Sequence, residues 1–245
     1  MTRSETDELA RVRDEYQRRD AAAPAPGYSW GNPAYVRYMQ ALERALLGAL
    51  AGSAALQGGR VLDVGCGSGY LLQRLVDFGA GPRAAGIDLS AQRIEEGRRR
   101  RPNLDLRVGS ATELPFAAQQ FDLVTQFTCL SSVLDPAVRA TIGAEMWRVV
   151  RPGGLVVSFD MTPSAAQRAA AAARRRRARG THATPVAPLG RDELERLFPG
   201  VVVAATHVTS TVGLGVLARS RAAALLPATG LLRTHLLLAV RRPGG

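Results

Sequence analysis

Two carboxylates and three alternating glycines carry the chemistry most worth following along this chain. The run Asp63, Val64, Gly65, Cys66, Gly67, Ser68, Gly69 leaves a short apolar stretch at Val61 and Leu62. It opens onto Tyr70, Leu71, Leu72, Leu75 and Val76, which recur at helical spacing. Strand, glycine loop and helix in that order bring backbone N–H groups close to a ligand, because glycine has no Cβ to hold it away. The glycines alternate here, unlike the Gly-x-Gly-x-x-Gly of a pyrophosphate site, and an acidic residue precedes them. A ligand that needs no phosphate clamp fits the pattern. Asp88 stands 19 residues after Gly69 at the end of a second apolar run, close to the offset at which a carboxylate meets ribose hydroxyls. For both acids the competing reading is plainer: capping of the loop that follows.

Positioning those residues requires alternating strands and helices. The spacing predicts strands at 60–64, 84–88, 105–108, 121–126, 155–160, 201–210 and 236–241. Helices are predicted over 91–101, 136–150 and 191–198, and a turn at Arg151, Pro152, Gly153 and Gly154. Strands separated by helices imply a doubly wound α/β sheet covered on both faces, with ligands outside the strands' carboxyl ends. Ahead of this, residues 1–20 are charged with weak helical spacing, and the Ala/Pro/Gly stretch at 21–27 breaks the chain, so this end reads as an arm or movable cap. Tyr35, Tyr38, Met39, Leu42, Ala45, Leu46 and Ala49 predict a helix from Asn32 to near Gly52. The expected division is an arm and cap helix at 1–52 and one domain at 53–245. Residues 161–190 and a helix-containing 211–234 are expected as insertions near the active site.

The segments VLDVGCGSG, GIDLS, ATELPF, FDLVTQF and WRVVRPGGLVV, in this order and spacing, resemble the class I S-adenosylmethionine-dependent methyltransferases. Within that class they resemble the methyltransferase type 11 family, which includes quinone-biosynthesis enzymes; the resemblance covers roughly residues 60–160. It implies a Rossmann-like, seven-stranded sheet, mostly parallel, whose antiparallel last strand lies between the fifth and sixth. It also implies S-adenosylmethionine as cofactor and S-adenosylhomocysteine as product. Asp63, Gly65 and Gly67, with Cys66 between them, would face the methionine part, Asp88 would hold the ribose, and Leu89 would pack on the adenine. Ser110 and Ala111 would border the adenine edge, and Gln126 and Phe127 would lie beside the sulfonium and the acceptor. Relatives often carry Asp at the position of Ser110, which implies weaker discrimination of the adenine here.

Carried onto this chain, the antiparallel last strand implies that His235 comes toward Asp160, with His207 and Ser210 at the same edge. His235, His182 and His207 are the candidates for accepting a hydroxyl proton during methyl transfer; a hydrogen-bonded structural histidine is the alternative for each. Tyr28, Trp30, Tyr35, Phe127 and Asp160 are the candidate substrate lining, against simple packing of the aromatics on the sheet. Three scattered histidines without acidic neighbours do not match zinc spacing, so no metal is expected.

At 245 residues the chain is long enough for one large core, and an apolar share of 46% with 22% charged excludes a disordered class. No apolar run reaches the roughly 18 to 20 residues of a membrane span, and the N-terminus lacks a signal-like stretch, so a cytoplasmic protein is expected. The two cysteines give no disulfide framework. The net charge of +11 comes from arginine alone, with no lysine, which excludes Schiff-base chemistry. Such a charge fits nucleic acid, an anionic membrane, an acidic substrate or carrier protein, or only arginine usage in place of lysine. Arg174, Arg175, Arg176 and Arg177 form one run of four, but no aromatics interleave there, and Gln126, Phe127 and Thr128 replace the Asn/Asp-Pro-Pro-Tyr/Phe loop of nucleic-acid amino methyltransferases. The leading expectation is therefore O-methylation of a small natural-product, glycan, quinone or lipid-like acceptor, by a monomer or homodimer. RNA methylation and a non-catalytic cofactor-binding protein are the alternatives.

Overall fold

The computed structural model describes residues 3–21, 29–163, 185–210 and 234–244. Tyr28, His182, the arginines at 174–177 and nearly all of the 211–234 segment lie outside the described residues. Helices α1 (Arg3–Ala21) and α2 (Pro33–Leu50) precede the sheet. The chain then runs β1 (Val61–Val64), α3 (Tyr70–Asp77), β2 (Ala85–Asp88), α4 (Ala91–Arg100), β3 (Asp105–Val108) and β4 (Phe121–Phe127). It continues through α5 (Pro136–Val149), β5 (Val150–Met161), α6 (Arg191–Leu197), β6 (Val201–Val208) and β7 (His235–Arg241).

The strands form one seven-stranded sheet in the order β3-β2-β1-β4-β5-β7-β6. Neighbours from β3 through β5 pair in parallel, while β7 runs antiparallel to both β5 and β6. This is the Rossmann-like topology that the resemblance implied. The order of winding reverses between β1 and β4, so a crevice opens beyond their carboxyl ends. Alternate residues point to opposite faces. Leu62, Val64, Ile87, Val124, Val156 and Leu238 pack on the α5 side, and Val61, Leu123, Val157, Phe159 and Leu237 pack on the α2 side.

Local signals start the helices. Asn32 caps α2 by accepting the Ala34 N–H at 3.0 Å, and Asp135 caps α5 by accepting that of Ala137 at 2.8 Å; a proline follows each cap. Two boundaries differ from expectation. Residues 151–154, predicted as a turn, belong to a bulged start of β5, where Phe121 pairs with Val150 but Leu123 with Leu155, and Gly153 takes φ 74°. Residues 3–20, within the stretch predicted as an arm or movable cap, form most of a 19-residue helix. Leu9, Val12 and Tyr16 share one face of it, with Leu9 and Val12 buried. A helix this charged holds because that face finds a surface to pack on.

Helix α4 lies close against the glycine loop because of Gly97. A Cβ there would stand 2.7 Å from the Ser68 carbonyl oxygen, which cannot swing aside as a side chain can. Gly97→Ala should therefore destabilise the fold by about 1–3 kcal/mol from overpacking, despite alanine's better helix propensity. Thermal or denaturant unfolding checks this; an unchanged or raised stability would show that α4 is free to move outward.

Candidate active site

Beyond β1 the chain turns through Gly65, Gly67 and Gly69, all at positive φ. A Cβ on Gly65 would sit 2.8 Å from the Cys129 Sγ, so this position needs glycine twice over. The Gly65 and Cys66 N–H groups both donate to the Ile87 carbonyl, at 2.8 and 3.1 Å, stitching the loop to the end of β2. Gly67 N–H donates to Asp88 Oδ2 and Ser90 N–H to Asp88 Oδ1, each at 2.8 Å. The capping reading of Asp88 is thus realised. It does not displace a ligand role, because each carboxylate oxygen keeps a further lone pair.

Asp88 also borders a cavity of about 420 Å³ beyond the carboxyl ends of β1, β2 and β4, a size typical of small-molecule sites. Gly65, Leu89, Ala111 and Phe127, all singled out from sequence, line it too, with Thr128 and Cys129 completing the wall after β4. Its roof is α1, which contributes Leu9, Val12, Arg13, Tyr16 and Gln17. Sequence reasoning named none of these five, although Leu9, Val12 and Tyr16 stand at helical spacing. Polar contacts pin the roof at both ends. Asp20 pairs with Arg93 at 2.5 Å and accepts from the Ser90 hydroxyl at 3.3 Å. Toward the other end Arg11 donates to the Ser132 carbonyl at 2.6 Å, the Glu8 carboxylate accepts the Leu134 N–H, and the Tyr16 and Ser132 hydroxyls lie 2.8 Å apart. Arg93 stacks over the Tyr16 ring at 4.7 Å.

Other singled-out residues stand behind the cavity wall. The Ser110 hydroxyl turns back to Thr112, meeting its hydroxyl at 2.8 Å and its N–H at 3.2 Å. Asp63 is buried on the α2 side of the sheet and accepts from the Thr125 hydroxyl at 2.8 Å. Burial raises its pKa from 3.8 to about 7. Gln126, Ser158 and Asp160 form a buried polar group on the α5 side. Burial likewise raises Asp160 from 3.8 to about 6.

A chain of rings runs from the cavity across the α2 side. Phe127 lies 6.4 Å from Phe159, which stacks on His235 at 5.1 Å, and Tyr38 closes on both at 6.2 and 5.2 Å. Trp30, more than half exposed, joins Tyr35 and Tyr70 at 5.3 and 5.6 Å. His235 pairs with Met161 at the carboxyl edge of β5, so the implied closeness to Asp160 holds along the edge. Their side chains nevertheless take opposite faces, since His235 packs on Phe159 and the neighbouring Asp160 points the other way. Burial lowers the His235 pKa to about 4, leaving it neutral at neutral pH. His207, in contrast, is exposed on edge strand β6, in a groove against α2 away from the cavity. Among the described residues no cluster of three His, Cys, Asp or Glu could hold a metal, and no helix is long and apolar enough to cross a membrane.

Residues 61–154, which contain the glycine loop, Asp88 and the wall after β4, match the family model described as a methyltransferase domain. This stretch carries a class I S-adenosylmethionine-dependent methyltransferase domain. The chain is 42% identical over 103 residues to a demethylmenaquinone methyltransferase of Renibacterium salmoninarum, covering 42% of this chain and 41% of that protein. To a ubiquinone biosynthesis O-methyltransferase of Aromatoleum aromaticum it is 39% identical over 115 residues, covering 42% and 44%. The match thus spans less than half the length of these curated relatives. The N-methyltransferase NodS from Bradyrhizobium japonicum, solved with S-adenosylhomocysteine, shares the fold at a TM-score of 0.63 and 17% identity, over 95% of this chain and 99% of that one.

In this methyltransferase domain the roof contacts predict a kinetic effect. Asp20→Ala removes the partner of Arg93, a partly buried pair worth about 1 kcal/mol, so S-adenosylhomocysteine should leave about fivefold faster. Stopped-flow displacement measures it; an unchanged off-rate would mean that α1 is not the roof over the ligand. Asp63 predicts a pH effect. Because its folded pKa is raised, its contribution to stability is present below pH 3.8 and is lost as pH climbs toward about 7. The melting temperature of wild type minus that of Asp63→Asn should fall across this window, and a difference that rises with pH would contradict the burial argument.

Proposed function

We propose that the whole protein is an S-adenosylmethionine-dependent methyltransferase that methylates oxygen on a small, ring-bearing acceptor of the quinone or lipid-like kind. The observation that carries the reading is the cavity at the β1/β4 switch, with the Asp88 carboxylate and the glycine loop on its wall inside the matched segment. The residues suit the group chemically. Asp88 offers free lone pairs to two vicinal hydroxyls, Leu89, Ala111 and Val133 offer apolar surface to a purine, and Gly65, with no Cβ, lets a ligand come close to the loop backbone. When bound, the cofactor supplies a methyl on a positively charged sulfur, an electrophile that needs chiefly a well-placed nucleophile.

Placement of that nucleophile falls to the ring chain. Phe127, on the cavity wall, offers a face on which a planar acceptor can stack and from which water is displaced, and the buried Phe159 and half-buried Tyr38 back it from the α2 side. The Thr234 hydroxyl accepts the Ser210 N–H at 2.7 Å, lies 3.2 Å from the Val208 carbonyl, and stands 2.8 Å from His235 Nδ1. Donation to that carbonyl leaves Thr234 as acceptor for Nδ1–H, so Nε2 carries the lone pair. We assign to His235 Nε2 the hydrogen of the acceptor's hydroxyl as the oxygen attacks, with the imidazole standing behind Phe159 and Phe127 rather than on the cavity wall itself. The quinone-biosynthesis names of the relatives support an acceptor of this class.

The test is production of S-adenosylhomocysteine with a panel of hydroquinones, catechols and aliphatic alcohols. Turnover should appear with the aromatic members, and Asp88→Ala should weaken cofactor binding at least ~tenfold through loss of charge-assisted hydrogen bonds. His235→Ala should lower kcat by about 10²-fold with little change in cofactor affinity. Full turnover by both variants would overturn the assignment.

A further inference from the structure

The wall of the cavity after β4 makes a sharp turn that its own residues do not favour. Thr128, which lines the cavity, takes φ 58°, a left-handed backbone uncommon for a branched side chain. Something must hold it there. The Gln126 Oε1 accepts the Cys129 N–H at 2.8 Å and that of Leu130 at 3.4 Å, while its Nε2 donates to Ser158 Oγ at 2.6 Å and to Asp160 Oδ2 at 3.2 Å. Asp160 Oδ2 also accepts the Ser131 N–H at 3.1 Å, and its Oδ1 accepts that of Met161 at 2.8 Å. Three successive backbone amides, at 129, 130 and 131, therefore end on two side chains rooted in adjacent strands, both fully buried. The next residue, Ser132, is the one that Arg11 and Tyr16 of the roof grip.

We propose that Gln126 and Asp160 are positioning residues, an amide–carboxylate pair that shapes the cofactor cavity from behind by fixing the 128–132 turn and, through Ser132, the seat of α1. This rests on reading the cavity as the cofactor site. Neither side chain borders the cavity itself. The pair works because polarity is matched across it: the amide presents its oxygen to the turn and its N–H to the carboxylate. Among the described residues no cation pairs with Asp160. The titratable neighbour is the Cys129 thiol, pushed far above its usual range by burial, and the remaining facing groups are the Ser131 and Ser158 hydroxyls and Leu236 on β7.

The experiment is calorimetric titration of S-adenosylhomocysteine into wild type, Gln126→Glu, Asp160→Asn and the double variant at about pH 5 and about pH 8, with circular dichroism to confirm folding. In Gln126→Glu two carboxyl groups face each other, tolerable only while they share a proton. Its Kd relative to wild type should lie within about threefold at the lower pH and exceed ~tenfold at the higher. Asp160→Asn carries no charge at either pH, so its own Kd should be flat and its ratio to wild type should rise from about pH 5 to about pH 8, where wild-type Asp160 is ionised; it keeps the proposal testable if Gln126→Glu unfolds at high pH. The double variant restores donor against acceptor across the pair, although the Ser131 N–H loses its partner. It should recover part of the affinity at high pH and lose the pH dependence. A Gln126→Glu ratio that does not change with pH, or a double variant no better than the single one, overturns the positioning role while leaving the cofactor reading intact. Wild type that binds no S-adenosylhomocysteine overturns both.

Discussion

The Asp88 carboxylate ties three pieces of chain into one rigid corner. Its two oxygens receive the N–H of Gly67 from the glycine loop and that of Ser90 at the start of α4, while its own backbone ends β2. A carboxylate held by two amides has its direction set before any ligand arrives, and such preorganisation lowers the entropy lost on binding. The cavity wall, the seat of α4 and the latch of Arg93 to Asp20 all refer back to this corner.

The sheet supplies the contrast that makes the corner useful. Its strands are apolar through the middle and turn polar at their carboxyl ends, with Asp63 and Thr125 on one face and Gln126, Ser158 and Asp160 on the other. Burial in both places makes charge costly, which is why Asp63 and Asp160 hold protons into the range of about 6 to 7. A cation near Asp63 would shift that balance toward the ionised form, whereas Asp160 serves the turn after β4. The same kind of residue thus does different work on the two faces of one sheet.

Much of this was legible in the amino-acid sequence because it rests on local pattern. Glycines at positive φ, capping residues before Pro33 and Pro136, and apolar runs of strand length each leave a mark within a few residues. What stayed hidden depends on distant partners. Helix α1 is too charged to announce itself, and only the surface beneath Leu9, Val12 and Tyr16 makes it a roof. Gln126 looks from its position like a ligand contact, yet its side chain turns to the opposite face from Thr125 and into the sheet. A strand's period of two places side chains on faces, but which face meets a ligand is decided by the helices packed above it.

Crystallisation of the protein with S-adenosylhomocysteine tests the central claim most directly. The ligand should lie under α1, with both ribose hydroxyls on the Asp88 carboxylate and the purine between Leu89 and Ala111. A ligand bound elsewhere, or lying in this cavity with its ribose turned away from Asp88, would contradict it.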